Sequence, residues 1–292
     1  MPPELVEELA PAKINLALHV VGQRADGYHL LESIVTFADI GDRLMFSASG
    51  EDRLTVSGPF SGTLTANLDD NLVIRARNGL RSQIEAAGGS APPVAIHLEK
   101  HLPVASGIGG GSADAAATLR ALLRFWQVED HVNETAELAL SLGADVPMCF
   151  RGEPVMARGI GEELSPLPDL PVLPLVLGNP LCGVSTPTIF SRLASKQNSP
   201  IGDITSGDWV DRLSCLRNDL EVPAQELVPE IRDITAMIAG QGALLTRMSG
   251  SGATCFGIFA SREEADQAAQ QLSLQRPDWY FKTTTTLAGA DA

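Results

Sequence analysis

Four glycines in five residues, Gly107, Gly109, Gly110 and Gly111, interrupt the stretch Pro103-Val104-Ala105-Ser106-Gly107-Ile108-Gly109-Gly110-Gly111-Ser112-Ala113. Ahead of it Val94, Ile96 and Leu98 alternate with polar or small residues, the period of a strand. Behind it Ala113, Ala115, Ala116, Ala117, Leu119, Leu122, Leu123 and Trp126 keep helical spacing, so a helix is expected from Ser112 onward. A strand that turns through glycines into a helix lets successive N–H groups face one hollow, at which the positive end of the helix also points. Such a hollow suits phosphate. The spacing is not that of a Walker A loop, which needs Gly-Lys-Ser/Thr. Nor is it Gly-x-Gly-x-x-Gly, because Ser112 stands where the third glycine belongs. A flexible turn before a helix is the other reading.

The chain's charge sharpens this. With 36 Asp and Glu against 21 Lys and Arg, the net charge is −15. No basic stripe exists, which argues against a nucleic-acid partner. Any phosphate site in so acidic a chain must rest on backbone amides, a helix start and one or two placed lysines. No apolar run approaches the roughly 20 residues that span a bilayer, and the acidic start Met1-Pro-Pro-Glu lacks the features of an export signal. A cytoplasmic protein with no membrane partner is therefore expected. Cys149, Cys182, Cys215 and Cys255 have no metal-ligand spacing and read as buried free thiols.

At 292 residues the chain has room for two domains. Ile14, Leu16, Leu18 and Val20 alternate as in a half-buried strand, Asp26-Gly27 marks a turn, and further strands are expected at Ser33–Ala38, Arg43–Phe46 and Leu54–Val56. A helix from about Asn133 to Leu142 is expected to stop at a left-handed Gly143. The Pro- and Gly-rich stretch Gly159–Pro174 reads as the boundary between domains 1–160 and 161–292. Beyond it come a buried strand at Val172–Leu177, helices near Thr186, Asn218 and Pro229, and a strand at Thr254–Phe259. Last is a helix announced by the capping box Ser261-x-x-Glu264. The whole is α+β.

Three further places carry candidate chemistry. Lys13 and Asn15 lie on one side of the first strand, where a lysine and an amide could steady a transferring phosphoryl group and a hydroxyl; an exposed polar face is the alternative. Asp145, in Gly143-Ala-Asp145-Val-Pro147, follows a helix carboxyl end, where the dipole disfavours its charge. It is either a turn former or a carboxylate suited to taking up a proton. Met248-Ser-Gly-Ser-Gly-Ala-Thr254 is a second glycine-rich segment leading into a strand.

In that order, Pro11-Ala-Lys13-Ile-Asn15, the Pro103–Ala113 loop and Gly250-Ser-Gly-Ala resemble the three motifs of the GHMP kinase superfamily. Arg24-Ala-Asp-Gly-Tyr28-His29, Asp70-Asn71-Leu72, Gly143-Ala-Asp145-Val-Pro147 and Thr186-Pro187-x-x-Phe190, with Asn218-Asp219 as a weaker match, are similar to the members acting on a cytidine-diphosphate ester of methylerythritol. The resemblance covers nearly the whole chain. It implies a ribosomal-protein-S5-domain-2-like amino-terminal domain and a ferredoxin-like carboxy-terminal domain, with the active site in a cleft, ATP as co-substrate and Mg²⁺ as its companion. It implies catalytic roles for Asp145, as general base toward the 2-hydroxyl, and for Lys13. Asn15 and Thr186 would position the substrate, Tyr28 and Phe190 would sandwich the cytosine, and His29 would bond its polar edge. Asn71 and Lys100 would contact adenosine, and Pro103, Val104, Ala105, Ser106, Gly107, Ile108, Gly109, Gly110, Gly111, Ser112 and Ala113 would wrap the phosphates. No metal ligand is implied.

The chain departs from the family pattern at Ala113, where a serine is frequent, at Ala105, where glycine is, and at His101, where arginine is. Tyr28-His29 and Phe190 argue against a GHMP kinase of mevalonate, homoserine or a sugar, whose substrates offer no flat base. Lys13 and Asp145 argue against a non-catalytic nucleotide-binding relative.

Overall fold

The computed structural model describes residues 5–63, 71–104, 106–129, 135–202 and 207–288. They form two compact units, both mixing helix with sheet. The first comprises the chain up to Ala12, Ile40–Val104 and Gly109–Gly152; the second comprises Lys13–Asp39, Ala105–Ile108 and Glu153 to the end. Two long strands, β1 (Leu5–Gln23) and β2 (His29–Ala48), contribute residues to each. The expected strands at Ser33–Ala38 and Arg43–Phe46 are thus one element.

In the first unit β3 (Arg53–Ser57) pairs in parallel with β4 (Val94–Glu99), and β4 pairs antiparallel with the Arg43–Ala48 part of β2. Helices α1 (Leu72–Ala86), α2 (Gly110–Phe125), α3 (Thr135–Leu142) and α4 (Val146–Arg151) pack against one another. Helix α2 begins two residues earlier than the alanine pattern suggests, because Gly110 and Gly111 form its first turn. It is buried nearly all round, which its small alanines permit. Helix α1 escaped the reading of the sequence, although Val73, Ala76, Leu80 and Ile84 give it a buried stripe and Asn71 caps it by accepting from the Val73 N–H at 2.9 Å.

In the second unit the Leu31–Val35 part of β2 pairs antiparallel with β5 (Val155–Gly159), which pairs with β6 (Glu163–Pro166). A second sheet follows from β7 (Pro174–Asn179), β8 (Leu245–Met248), β9 (Cys255–Ile258) and β10 (Tyr280–Thr285) in the order β10-β7-β9-β8, all antiparallel. Between them run α5 (Thr186–Ser191), α6 (Trp209–Ser214), α7 (Glu221–Leu227), α8 (Glu230–Ala239) and α9 (Arg262–Gln275). With α8 crossing between β7 and β8, and α9 between β9 and β10, the arrangement is ferredoxin-like. Ile231, Ile234 and Ile238 of α8 and Ala265, Ala268 and Leu272 of α9 bury their stripes in the same apolar core as Val176 and Cys255. Ser261 accepts from the Glu264 N–H at 3.2 Å, as the capping box requires.

Three expectations change. β1 is buried on both faces from Ala10 to Val20, so Lys13 and Asn15 are not on a solvated face. Gly143 is not left-handed. Cys149 and Cys255 are buried, but Cys182 is half-buried and Cys215 exposed. The stretch Gly159–Pro174 holds β6. Ala105, Asp70 and Asn133 lie outside the described residues.

Candidate active site

The second unit holds Lys13, Asn15, the Ser106–Ile108 part of the first glycine loop and the second glycine loop. The Lys13 N–H donates to the Ile108 carbonyl at 2.9 Å, and the Thr254 N–H donates to that of Ser106 at 3.0 Å. Ser249, wholly buried, accepts from the Asn15 N–H at 3.0 Å and donates to the Gly107 carbonyl at 3.2 Å. One serine hydroxyl therefore ties β1 to the first glycine loop. Asn218 holds the second loop, its amide donating to the Met248 and Gly250 carbonyls at 2.7 and 2.8 Å. Sequence reasoning noted Met248–Thr254 as a glycine-rich turn but passed over Ser249, since nothing in the one-dimensional pattern tells a linking serine from a turn former.

Gly107 has φ +76°, and a Cβ there would meet the Ser249 carbonyl oxygen at 2.5 Å and the Gly252 nitrogen at 2.6 Å. Backbone cannot yield as a side chain can. Gly107→Ala is expected to cost about 1–3 kcal/mol, seen as a lower urea midpoint with an unchanged slope. An unchanged midpoint would mean that the close approach is not needed.

Lys13 and Asn15 are 5% and 4% exposed. The Asn15 amide nitrogen donates to the Ser33 hydroxyl at 2.8 Å, which donates onward to the Ala17 carbonyl at 2.6 Å, while the Asn15 side-chain oxygen is buried with no protein partner. A buried amide oxygen without a donor carries a free-energy cost unless a ligand hydroxyl or water meets it. Thr186, in the first turn of α5, shares a hydrogen bond of 2.7 Å with the Ser251 hydroxyl of the second loop.

Tyr28 follows the turn at Gly27 (φ +94°) and is 60% exposed. Next to it the His29 ring stacks on Phe190, centroids 4.7 Å apart and planes 26° from parallel. The family resemblance pairs Phe190 with Tyr28 across a base; in the structure the ring stacked on Phe190 is that of His29. Burial, and then the positive charge of Lys196, hold His29 below the usual imidazole range, so the ring is neutral at pH 7. Its buried Nε2 has no protein partner. A flat ring pair with one unanswered polar atom suits a planar heterocycle with a polar edge.

The first unit holds the other candidates. Gly109, with φ +66°, caps α2, and the Ala113 N–H closes the first turn on the Gly109 carbonyl at 2.8 Å. Gly111 is exposed, Gly110 and Ser112 are half-buried, Val104 is exposed, and Pro103 and Ala113 are buried. The first N–H groups of a helix have no partner within it, and Gly110, Gly111 and Ser112 carry no side-chain charge. The Lys100 side chain is 3% exposed and ion-paired with Asp42 and Asp114. Asp145 is corrected in polarity. It precedes α4 as its N-cap, so the nearest helix end is a positive one that favours a carboxylate.

Two family models cover more than half of the chain: the GHMP kinases N terminal domain matches residues 71–153, and the GHMP kinases C terminal matches 201–277. The chain is a GHMP kinase. This kinase is 59% identical over 288 residues to the 4-diphosphocytidyl-2-C-methyl-D-erythritol kinase of Rhizobium leguminosarum bv. trifolii (strain WSM2304), spanning 97% of this chain and 96% of that one. It is 56% identical over 287 residues to the enzyme of that name from Agrobacterium fabrum, with 96% of each covered. Among solved structures, a 4-(cytidine 5'-diphospho)-2C-methyl-D-erythritol kinase superposes with a TM-score of 0.80 at 35% identity, over 97% of this GHMP kinase and all of that chain. Homoserine kinase from Cytophaga hutchinsonii, at 19% identity and a TM-score of 0.74 over 98% of this chain and 95% of that one, shares the fold. No described helix is long and apolar enough to cross a membrane.

Proposed function

We propose that this GHMP kinase transfers the γ-phosphoryl group of ATP to the 2-hydroxyl of 4-diphosphocytidyl-2-C-methyl-D-erythritol, a step of non-mevalonate isoprenoid precursor biosynthesis. Near-full-length identity to relatives of that name supports the reading. The observation that carries it in this chain is the His29–Phe190 ring pair with its unanswered Nε2, a receptor for a base that mevalonate, homoserine and sugars do not offer.

The cytosine lies against Phe190 and Tyr28 and is bonded at its edge by neutral His29. The Asn15 side-chain oxygen and Thr186 orient the methylerythritol hydroxyls. Lys13 holds the 2-hydroxyl and offsets charge on the γ-phosphate, and Asp145 takes the hydroxyl proton as the new O–P bond forms. Backbone donors from Ser106 to Ser112, including the α2 start, cradle the ATP phosphates, with Asn71 toward the adenosine. A Mg²⁺ accompanying the nucleotide would offset charge on its phosphates. Among the described residues no group of three or more His, Cys, Asp or Glu side chains is placed to hold a metal. The two family matches lie either side of residue 160, which supports domains at 1–160 and 161–292. The cytoplasm, where ATP and such substrates occur, is the proposed location, with no nucleic-acid partner.

CDP and CMP are expected to raise the melting temperature, and Phe190→Ala to weaken CDP binding by about 1–3 kcal/mol, the usual worth of stacking a base on an aromatic ring. Equal stabilisation by CDP and ribose 5-phosphate, or CDP binding indifferent to Phe190→Ala, would remove the base-binding role and with it the preferred substrate.

A further inference from the structure

Beneath the start of α2 lies a charge cluster that the proposed phosphoryl transfer does not use. Lys100, which follows β4, is 2% exposed; Asp42 of β2 is wholly buried, and Asp114, one turn into α2, is 4% exposed. The Lys100 ammonium donates to Asp42 Oδ2 and, at 2.7 Å, to Asp114 Oδ2. Asp42 Oδ1 also accepts from the His101 and Leu102 N–H groups at 2.6 and 2.9 Å. Three donors thus converge on Asp42. The Asp114 carboxyl meets the ammonium and the neighbouring Asp42 carboxyl, and its Oδ1 is buried with no protein partner.

The cluster sits directly under the candidate phosphate donors. A Cβ added to Gly110, the first residue of α2, would lie 3.5 Å from Lys100 Nζ and 3.8 Å from Asp42 Oδ2. Two buried carboxylates sharing one ammonium leave an uncompensated negative charge, which a low-dielectric site tolerates poorly. A proton on Asp114 removes that charge, and the burdened oxygen is the natural place for it. Lys100 and Asp42 are the charged groups that face Asp114. Burial, against Lys100 and with the help of Asp42, lifts Asp114 to about 7. Burial also works against the ammonium, but Asp114 and Asp42 together outweigh it and hold Lys100 above the ordinary lysine range, so the cation persists.

We propose that Asp42, Lys100 and Asp114 form a proton-holding support under the α2 start, so that nucleotide phosphates bind best when Asp114 is protonated and their arrival draws a proton onto it. The inference rests on the proposed phosphate site at that helix start. An anion arriving one turn from Asp114 raises the cost of its ionised form. Proton uptake and nucleotide affinity are then linked, and neither can change without the other. Asp114 is a positioning residue in this account, touching neither nucleotide nor reacting atoms.

The test is isothermal titration calorimetry of the full chain with ADP in excess Mg²⁺, at pH 7.5, in two buffers of contrasting ionisation enthalpy. The wild type is expected to take up a fraction of a proton per ADP bound, and its Kd to weaken by up to about tenfold per pH unit above pH 7. Asp114→Asn, which mimics the protonated carboxyl, is expected to bind ADP without that uptake and with a flatter pH dependence. Protons common to both proteins, from phosphate or histidine, cancel in the comparison. Equal uptake by the two, or none by the wild type, overturns the proposal. Should Asp114→Asn not fold, difference infrared spectroscopy of the wild type decides: a carboxylic-acid C=O band must grow on adding ADP, and its absence counts against the support. If ADP binds but leaves the amide NMR signals of Gly109–Ser112 unmoved, the phosphate site itself is misplaced. If they move with no proton uptake, only the support fails.

Discussion

Asp145→Asn is expected to lower kcat by about 10²–10⁴-fold, the usual contribution of a positioned base, while ADP and CDP bind as before and the thermal midpoint stays put. The substitution keeps size and shape and removes the negative charge, and with it the capacity to accept a proton. Asp145 is half-buried before the six-residue helix α4, whose N–H groups Cys149 and Val146 close on the Asp145 and Gly143 carbonyls at 3.1 and 3.0 Å. Those bonds are made by backbone, so they survive the change. Because Asp145 precedes α4 at its positive end, as a base it would act through placement beside the hydroxyl rather than through helix-end strain. A loss in ADP affinity equal to the loss in kcat would show a structural role and remove Asp145 as the base.

Lys13→Met should cost about 10²–10³-fold in kcat, the scale found for removing one preorganised donor to transition-state charge. Lys13 is 5% exposed on a strand buried on both faces, and in such a setting a cation acts at lower dielectric than at a surface. Methionine fills much the same volume, and the Lys13 N–H still bonds to the Ile108 carbonyl, so the loop keeps its anchor. The effect should fall on kcat more than on KM, since the charge Lys13 answers grows during transfer. A raised KM with unchanged kcat would make Lys13 a uniform binder and not a catalytic group.

These expectations draw on a chain whose motifs were legible and whose wiring was not. The glycine loop announced itself because φ values of +76° at Gly107 and +66° at Gly109 admit few other residues, and the alanines of α2 gave the helix its direction. The ferredoxin-like domain was implied by the resemblance to GHMP kinases, and the capping box Ser261-x-x-Glu264 marked its last helix. The errors share a cause. Alternation in β1 says that every second residue is apolar, not that the polar ones find buried partners, and Asn15 does so through Ser33 and Ser249. Nothing local to Lys100 reveals the two carboxylates that it meets, 58 and 14 residues away. The dipole argument for Asp145 assumed that no helix followed, although Pro147 suits a first helical turn and marked α4. Helix α1 was missed for want of an alanine-rich stretch, despite its Asn71 cap.

The central claim is tested most directly by coupled detection of ADP release from the purified chain with ATP and 4-diphosphocytidyl-2-C-methyl-D-erythritol, run beside mevalonate and homoserine. The account predicts one ADP per molecule of the cytidylylated substrate, a new phosphomonoester on its 2-oxygen, and background rates with the other two. Turnover of mevalonate or homoserine at a comparable rate, or no ADP from the cytidylylated substrate, would contradict it.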